Sequence, residues 1–491
     1  MKSSETSKHP VIVIGAGIAG LASACRLASQ GEKVILCEAA HTYGGKVGEI
    51  KNKGFRFDQG PSLFTLPELL DELFVDCGKN PRDFYSYYQL PVVTKYIYPD
   101  GLQLKAYANL EDFKQELINK LGEKKQDLDR FFKHIEQVYD FVFPIFLENP
   151  IREFKKHLKS SWWESFKMLT KIESFKTLDA SNQSWFKHSK TVQLFNRFAT
   201  YNGSNPYRAP ATLNVIPHLE HKLGAYYVKG GMRKVVQAMY DLAVDQGVEF
   251  RFNSPVSQIL IENGAARGVV INNAEVPAKA VFCNMDINKA YPVLLPKERQ
   301  PKLLLKQEKS TSALVFYWGM NLTETKFDVH NVLFSKDYKD EFDCLSKGAV
   351  SDDPTVYVYI SSKTDPSDAP KGKENWFVMI NVPPNKDQNW PGIIETARKN
   401  ILDKLNHYFK EDVSAFIEME EVLDPIKIEQ FTSSQQGALY GNSSNSMFAA
   451  FLRHPHQNKS LKSLFFVGGS THPGGGIPLC LLSAKIATHA Y

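Results

Sequence analysis

Two groups of glycines, near opposite ends of the chain, have the spacing needed to hold a large, flat, charged cofactor. Gly15, Gly17 and Gly20 follow the β-branched run Val11–Ile14 and lead into the alanine-rich stretch 21–29. A strand, a tight glycine turn and a helix in this order let the backbone approach a pyrophosphate and aim the positive end of the helix dipole at it. Residues 33–36 predict a second strand with Glu38 at its end, about 20 residues past the glycines, where a carboxylate can accept both hydroxyls of an adenosine ribose. The next pair, Gly44 and Gly45 with Lys46 beside it, would again bring backbone close to a cofactor, and the ammonium could neutralise phosphate or a reduced ring. A plain turn is the other reading of that pair.

The second group lies at 468–476, where five glycines follow the apolar run 464–467. Pro478 suits the first turn of a helix continuing over 479–490. A helix N-terminus aimed at the pyrimidine side of a flavin would stabilise the negative charge that builds up when the ring takes a hydride. Nicotinamide enzymes do not need this second contact, so the pattern favours FAD over NAD. His472, inside the loop, either accepts a proton or makes a structural hydrogen bond. Tyr207 and Arg208, in the turn-rich loop 203–210, are candidates to orient the end of a substrate, and Arg208 equally could tie down its own loop.

Other elements must bring these groups together. A helix over 233–245, strands at 247–250 and 255–261, and a meander returning to 280–283 predict that a distant part of the chain completes the first nucleotide fold. The FAD-binding domain is therefore expected to be discontinuous, over 1–85, 200–295 and 420–491. Strand-like runs at 312–320, 355–360 and 375–381, with 87–108 turning at Pro99-Asp100-Gly101, predict an aromatic-rich mixed sheet, a substrate domain over 86–110 and 296–419. Helical spacing of Leu117, Leu121, Leu128, Phe131, Phe132, Ile135 and Val138 predicts a helical subdomain over 111–199. Within it, 151–178 sets seven Lys or Arg against three Glu, threaded with Phe154, Trp162, Trp163 and Phe166. Such a segment suits the headgroup layer of an anionic bilayer, and packing on the protein's own body is the equal alternative.

A chain of 491 residues implies two or three domains. Its 43% hydrophobic and 23% charged residues are ordinary for a globular protein, and the formal charge of +5 comes from basic residues interleaved with acids, which argues against nucleic-acid binding. The six cysteines are dispersed without a Cys-x-x-Cys pair, so neither a zinc cluster nor a disulfide framework is expected, and the compartment is expected to be reducing. Residues 1–10 lack the apolar core of a signal peptide, and no apolar run approaches the roughly 20 residues that cross a bilayer. The expected location is cytoplasmic, peripheral to a membrane.

Taken in order, the 15–20 turn with Glu38, the 44–46 turn, Phe57-Asp58-Gln59-Gly60-Pro61, the 203–210 loop, 227–232 and the 466–478 loop resemble bacterial carotenoid desaturases of the phytoene-desaturase type. The likeness spans nearly the whole chain and is weakest over 111–189. Within that family, 60–67 is most similar to the hydroxycarotenoid 3,4-desaturase branch. The resemblance implies an α/β fold like that of monoamine oxidase and a polyene substrate taken from the bilayer. It implies that Gly15, Gly17, Gly20 and Glu38 hold the ADP part of FAD and that Lys46, Gly44, Gly45 and Gly60 flank the flavin. The backbone of Val256 would meet the adenine, and Asp286, Gly469, Gly475, Gly476 and Ile477 would line the isoalloxazine. The implied reaction is 3,4-desaturation of the acyclic end of a 1'-hydroxylated carotenoid, by hydride transfer to flavin and proton loss. Phytoene desaturation, a carotene isomerase, an amine oxidase and a non-enzymatic carrier of the same fold are the alternatives.

Overall fold

The computed structural model describes residues 9–144, 173, 175–323, 325–446, 453–458 and 460–491. At its centre is a five-stranded parallel sheet in the order Leu464–Phe466, Ala280–Cys283, Val11–Ile14, Val34–Cys37 and Glu249–Arg251. Val11–Ile14, Val34–Cys37 and Ala280–Cys283 are buried along their whole length, because helices or a meander cover both faces; that is why they read as unbroken apolar runs. The helix Ile18–Ser29 packs against Arg233–Asp245 and Ile477–His489 through its alanines and Leu21 and Leu27. Short side chains let these helices lie close to the sheet. On the opposite face the meander Val256–Glu262, Ala265–Ile271 and Ala274–Pro277 packs with the helix Ile287–Leu294. Val11–Ile14 has Val34–Cys37 on one side and Ala280–Cys283 on the other, so its C-terminal end is the switch point where parallel sheets open a binding crevice.

A seven-stranded sheet stands beside this unit, in the order Ile417–Leu423, Ser312–Met320, Glu374–Val382, Val356–Tyr359, His330–Leu333, Val92–Ile97 and Gln103–Tyr107. All nine residues of Ser312–Met320 are buried. Leu314, Phe316, Trp318, Trp376 and Val378 pack under the helix Trp390–Phe409 through Trp390, Ile401 and Leu405. Residues of the other parity, Val315, Tyr317, Tyr359 and Phe377, turn towards Phe55, Phe57 and Tyr227 of the nucleotide-binding side. Strand alternation thus dedicates one face to the sheet's own core and the other to the junction.

The strand-like runs expected over 87–108 pair as a hairpin across Pro99-Asp100-Gly101, but they do not all join one sheet. Pro91 has no N–H to give to a ladder, and the sheet begins only at Val92. Tyr87–Gln89 instead pairs with Tyr226–Val228, where Tyr87 meets Tyr226 edge-on. The helical stretch after it also divides, into Leu110–Leu121 and Lys125–Val142, at the left-handed Gly122. Its seven periodic apolar residues are all buried. The basic aromatic segment 151–178 lies outside the described residues except for 173 and 175–178. Among the described residues no helix is long and apolar enough to cross a membrane. All six cysteines are free thiols.

Candidate functional site

Gly15, at φ +94°, turns the chain out of Val11–Ile14. A Cβ on Gly20 would fall 1.9 Å from the Gly15 carbonyl oxygen, so only glycine lets the helix start this close to the turn. Gly17 caps that helix with no side-chain bond to its first N–H groups. Glu38 lies against the turn: one carboxylate oxygen accepts from the Ala16 N–H at 2.7 Å and the other from the Ala40 N–H at 2.9 Å. The second glycine pair adjoins the first, with the Gly44 N–H donating to the Ala16 carbonyl at 2.8 Å. Arg233 fixes that pair by donating to the Tyr43 carbonyl and the Thr42 hydroxyl, its guanidinium lying over the Tyr43 ring.

The glycines of the far loop reach the same crevice through Asn284, at the end of Ala280–Cys283. Its amide donates to the Gly15 carbonyl at 3.4 Å. A Cβ on Gly17 or Gly20 would come within 3.1 Å of that amide nitrogen, and one on Gly468 within 2.4 Å of its oxygen. One side chain therefore spaces both glycine turns. Arg453, buried and pushed down to about 10 by that burial, donates to the Gly469 carbonyl at 3.3 Å and lies against Gly474. Gly475 leans on Tyr440. Gly476 caps Ile477–His489 at φ +107° with no side-chain cap, and nothing lies within 4 Å of its missing Cβ. Ile477 is buried in the cluster beneath the parallel sheet's helices. Asp286 caps Ile287–Leu294 and accepts from the Gln435 N–H at 3.3 Å. Val256 begins its strand just after Ser254, whose N–H donates to the Glu38 carbonyl.

Gly60 sits so close to Lys46 that a Cβ would fall 2.0 Å from the lysine carbonyl. The Lys46 ammonium donates to the carbonyls of Ala438, at 3.2 Å, and Leu439, at 2.7 Å. Lys46 is exposed, and desolvation by the protein around its ammonium lowers its pKa. Gly45, Gly60 and Gly476 are exposed too. A glycine-lined cradle, two uncapped helix N-termini and a carboxylate held against the first glycine turn fit a cofactor with a pyrophosphate at one end and a flat ring at the other.

The other expected residues are differently engaged. Arg208 forms a bidentate pair with Glu308, at 3.2 and 2.8 Å, and both side chains are about half exposed, so it ties down its loop. Tyr207 packs on Phe342 and its N–H donates to Asn205. No described contact joins either side chain to the glycine turns. His472 is buried, its N–H donating to the His454 carbonyl and its ring edge-on to His456.

Sequence reasoning missed Asp58 as an organiser. This buried carboxylate accepts from Arg56 at 2.5 Å, from the Met232 N–H at 2.9 Å and from the Tyr359 hydroxyl at 3.1 Å. It joins the strand Phe55–Gln59, the 227–232 loop and the seven-stranded sheet. The signal available was an acid inside an apolar alternation, Phe55-Arg56-Phe57-Asp58. Asn284 and Arg453 had no such local signal.

The family described as flavin containing amine oxidoreductase matches residues 18–490. The chain is 44% identical over 476 residues to a 1-hydroxycarotenoid 3,4-desaturase of Flavobacterium sp. (strain P99-3), covering 97% of each chain. It is 33% identical over 493 residues to a 4,4'-diapolycopene oxygenase of Methylomonas sp, covering 97% of this chain and 96% of that one. Among solved structures, cyclohexylamine oxidase from Brevibacterium oxydans IH-35A superposes with a TM-score of 0.64 at 17% identity, covering 98% of both chains, which shows a shared fold.

Proposed function

We propose, on the premise that this chain belongs to the family of flavin containing amine oxidoreductases, that it is an FAD-dependent carotenoid desaturase acting on the 3,4 bond of a hydroxylated acyclic end. The observation that carries the reading is the 44% identity over 97% of both chains to the hydroxycarotenoid enzyme. FAD, when bound, supplies the two-electron acceptor for a hydride leaving one carbon of the C–C bond.

The chain's own residues do the rest. Gly15, Gly17, Gly20 and Glu38 would hold the ADP part, with Val256 beside it. Gly44, Gly45, Lys46 and Gly60 would flank the ring system, and Asp286, Gly469, Gly475, Gly476 and Ile477 would line its far side. The open N-terminus of Ile477–His489 favours negative charge there. Tyr317, Tyr359 and Phe377, at the junction of the two sheets, support a water-excluding wall for a polyene. The proton leaves from the carbon next to the one that lost hydride, and His472 is its proposed acceptor. The three units expected from the sequence are proposed as cofactor-binding, substrate-binding and membrane-facing parts, with 151–178 docking on the bilayer that holds the substrate.

Purified flavoprotein given a 1-hydroxylated acyclic carotenoid in liposomes should yield a product lighter by two hydrogens with absorption shifted to the red. A product of unchanged mass would replace this reading by isomerisation. Protein that cannot be reconstituted with FAD would remove it.

A further inference from the structure

A hydroxylated polyene end poses a problem that an apolar channel does not solve, because its hydroxyl must be desolvated without losing its hydrogen bonds. In a 1-hydroxylated chain only C2 separates the hydroxyl-bearing carbon from the 3,4 bond. Any group that reads the hydroxyl must therefore stand within a side chain's reach of the residues flanking the ring.

One polar cluster meets that condition. Ser62 is two residues beyond Gly60, and its hydroxyl lies 2.6 Å from that of Tyr357. The Tyr357 hydroxyl in turn lies 2.7 Å from His330 Nδ1. His330 is 2% exposed, and its other ring nitrogen, Nε2, is buried without a hydrogen-bond partner. The imidazole stacks on Tyr359, with centroids 4.8 Å apart and planes 9° apart, and Tyr359 is bonded to Asp58. Ser62 and Tyr357 both keep part of their surface accessible, and burial raises the pKa of Tyr357. Neither Ser62 nor His330 takes part in the reaction as proposed above.

Building on the desaturase reading, we infer that Ser62, Tyr357 and His330 form the receptor for the substrate's terminal hydroxyl. Two hydroxyls and an imidazole in series can reverse the direction of donation, so the row can both give a hydrogen bond to a tertiary alcohol and accept one from it. The imidazole also has to be neutral. An imidazolium can only donate, which would fix the direction of the row, whereas burial and the Arg197 guanidinium hold His330 down at about 3. The set therefore keeps both directions of donation open to the hydroxylated end.

The test compares kcat/KM of the FAD-loaded enzyme for a 1-hydroxylated acyclic carotenoid and for its non-hydroxylated counterpart. Tyr357→Phe and Ser62→Ala should each lower the preference for the hydroxylated substrate about tenfold. Flavin absorbance should be unchanged, and Ser62→Thr, which keeps the hydroxyl, should restore the preference. If Tyr357→Phe does not fold, the Ala and Thr variants at Ser62 decide alone. An unchanged preference in Ser62→Ala, or a wild-type enzyme that treats the two substrates alike, overturns the receptor and leaves the desaturase reading standing. A wild-type enzyme that oxidises neither overturns both.

Discussion

Gly20, Asp58 and His472 make the residue-scale case, because a single substitution at each tests a defined part of the site. Gly20→Ala puts a methyl group 1.9 Å from the Gly15 carbonyl, so the turn must open. The variant should purify with little flavin, read as the ratio of flavin to protein absorbance. Asp58→Ala leaves Arg56, the Met232 N–H and the Tyr359 hydroxyl facing a hole, and should lower stability by about 3–5 kcal/mol, measured by denaturant unfolding. Arg56 retains Glu49 and Asp368, which places the cost at the lower end. His472→Ala should cut kcat by about 100-fold while FAD content stays full; near-normal turnover would remove the histidine as proton acceptor. The glycine turn and Glu38 were legible in the sequence because strand, glycines, helix and acid form a local code. Asn284 was not, since its task is to touch Gly15 from 269 positions away. Arg208 was only half legible: a loop arginine reads the same whether it meets substrate or, as the structure has it, Glu308.

Among the elements, the two helices that begin at Gly17 and Gly476 share a design, since both start on a glycine and neither has a capping side chain. Substituting Asn284 by Ala removes the spacer between the turns that precede them. FAD should then bind about tenfold more weakly, measured by fluorescence titration of the apoprotein, with the secondary structure intact. The parallel strands were foreseeable because burial on both faces demands continuous apolar runs. The division at Pro91 was foreseeable in principle from the missing N–H, but the partner of Tyr87–Gln89 lies in Tyr226–Val228, and no local pattern announces a pairing that remote. The Tyr317 face of the long sheet was equally ambiguous, because an aromatic alternation reads alike whether it covers a helix or a ligand.

At the scale of the whole molecule, buried neutral imidazoles set the response to acid. His221, His330 and His456 are each held at about 3 by burial. Their unfolded value is about 6.5, so between roughly pH 6.5 and 3 the unfolded chain binds more protons and stability falls as pH falls. The three together should make the protein about 4 kcal/mol less stable at about pH 5.5 than at about pH 7, checked by urea unfolding at both. Replacing the basic residues of 151–178 should reduce sedimentation with anionic liposomes while the flavin spectrum holds; unchanged sedimentation would move membrane docking elsewhere. The flavin was legible through the glycine groups at both ends and the amine-oxidase-like fold only through the family resemblance, and neither composition nor periodicity could name the substrate. The five-stranded sheet, finally, bears on how the protein is made. Leu464–Phe466 pairs with Ala280–Cys283, so during translation the central sheet keeps an open, apolar edge until residues 464–466 have left the ribosome. The nascent polypeptide should therefore depend on a chaperone to cover that edge, and ribosome-stalled chains ending before residue 464 should capture no flavin.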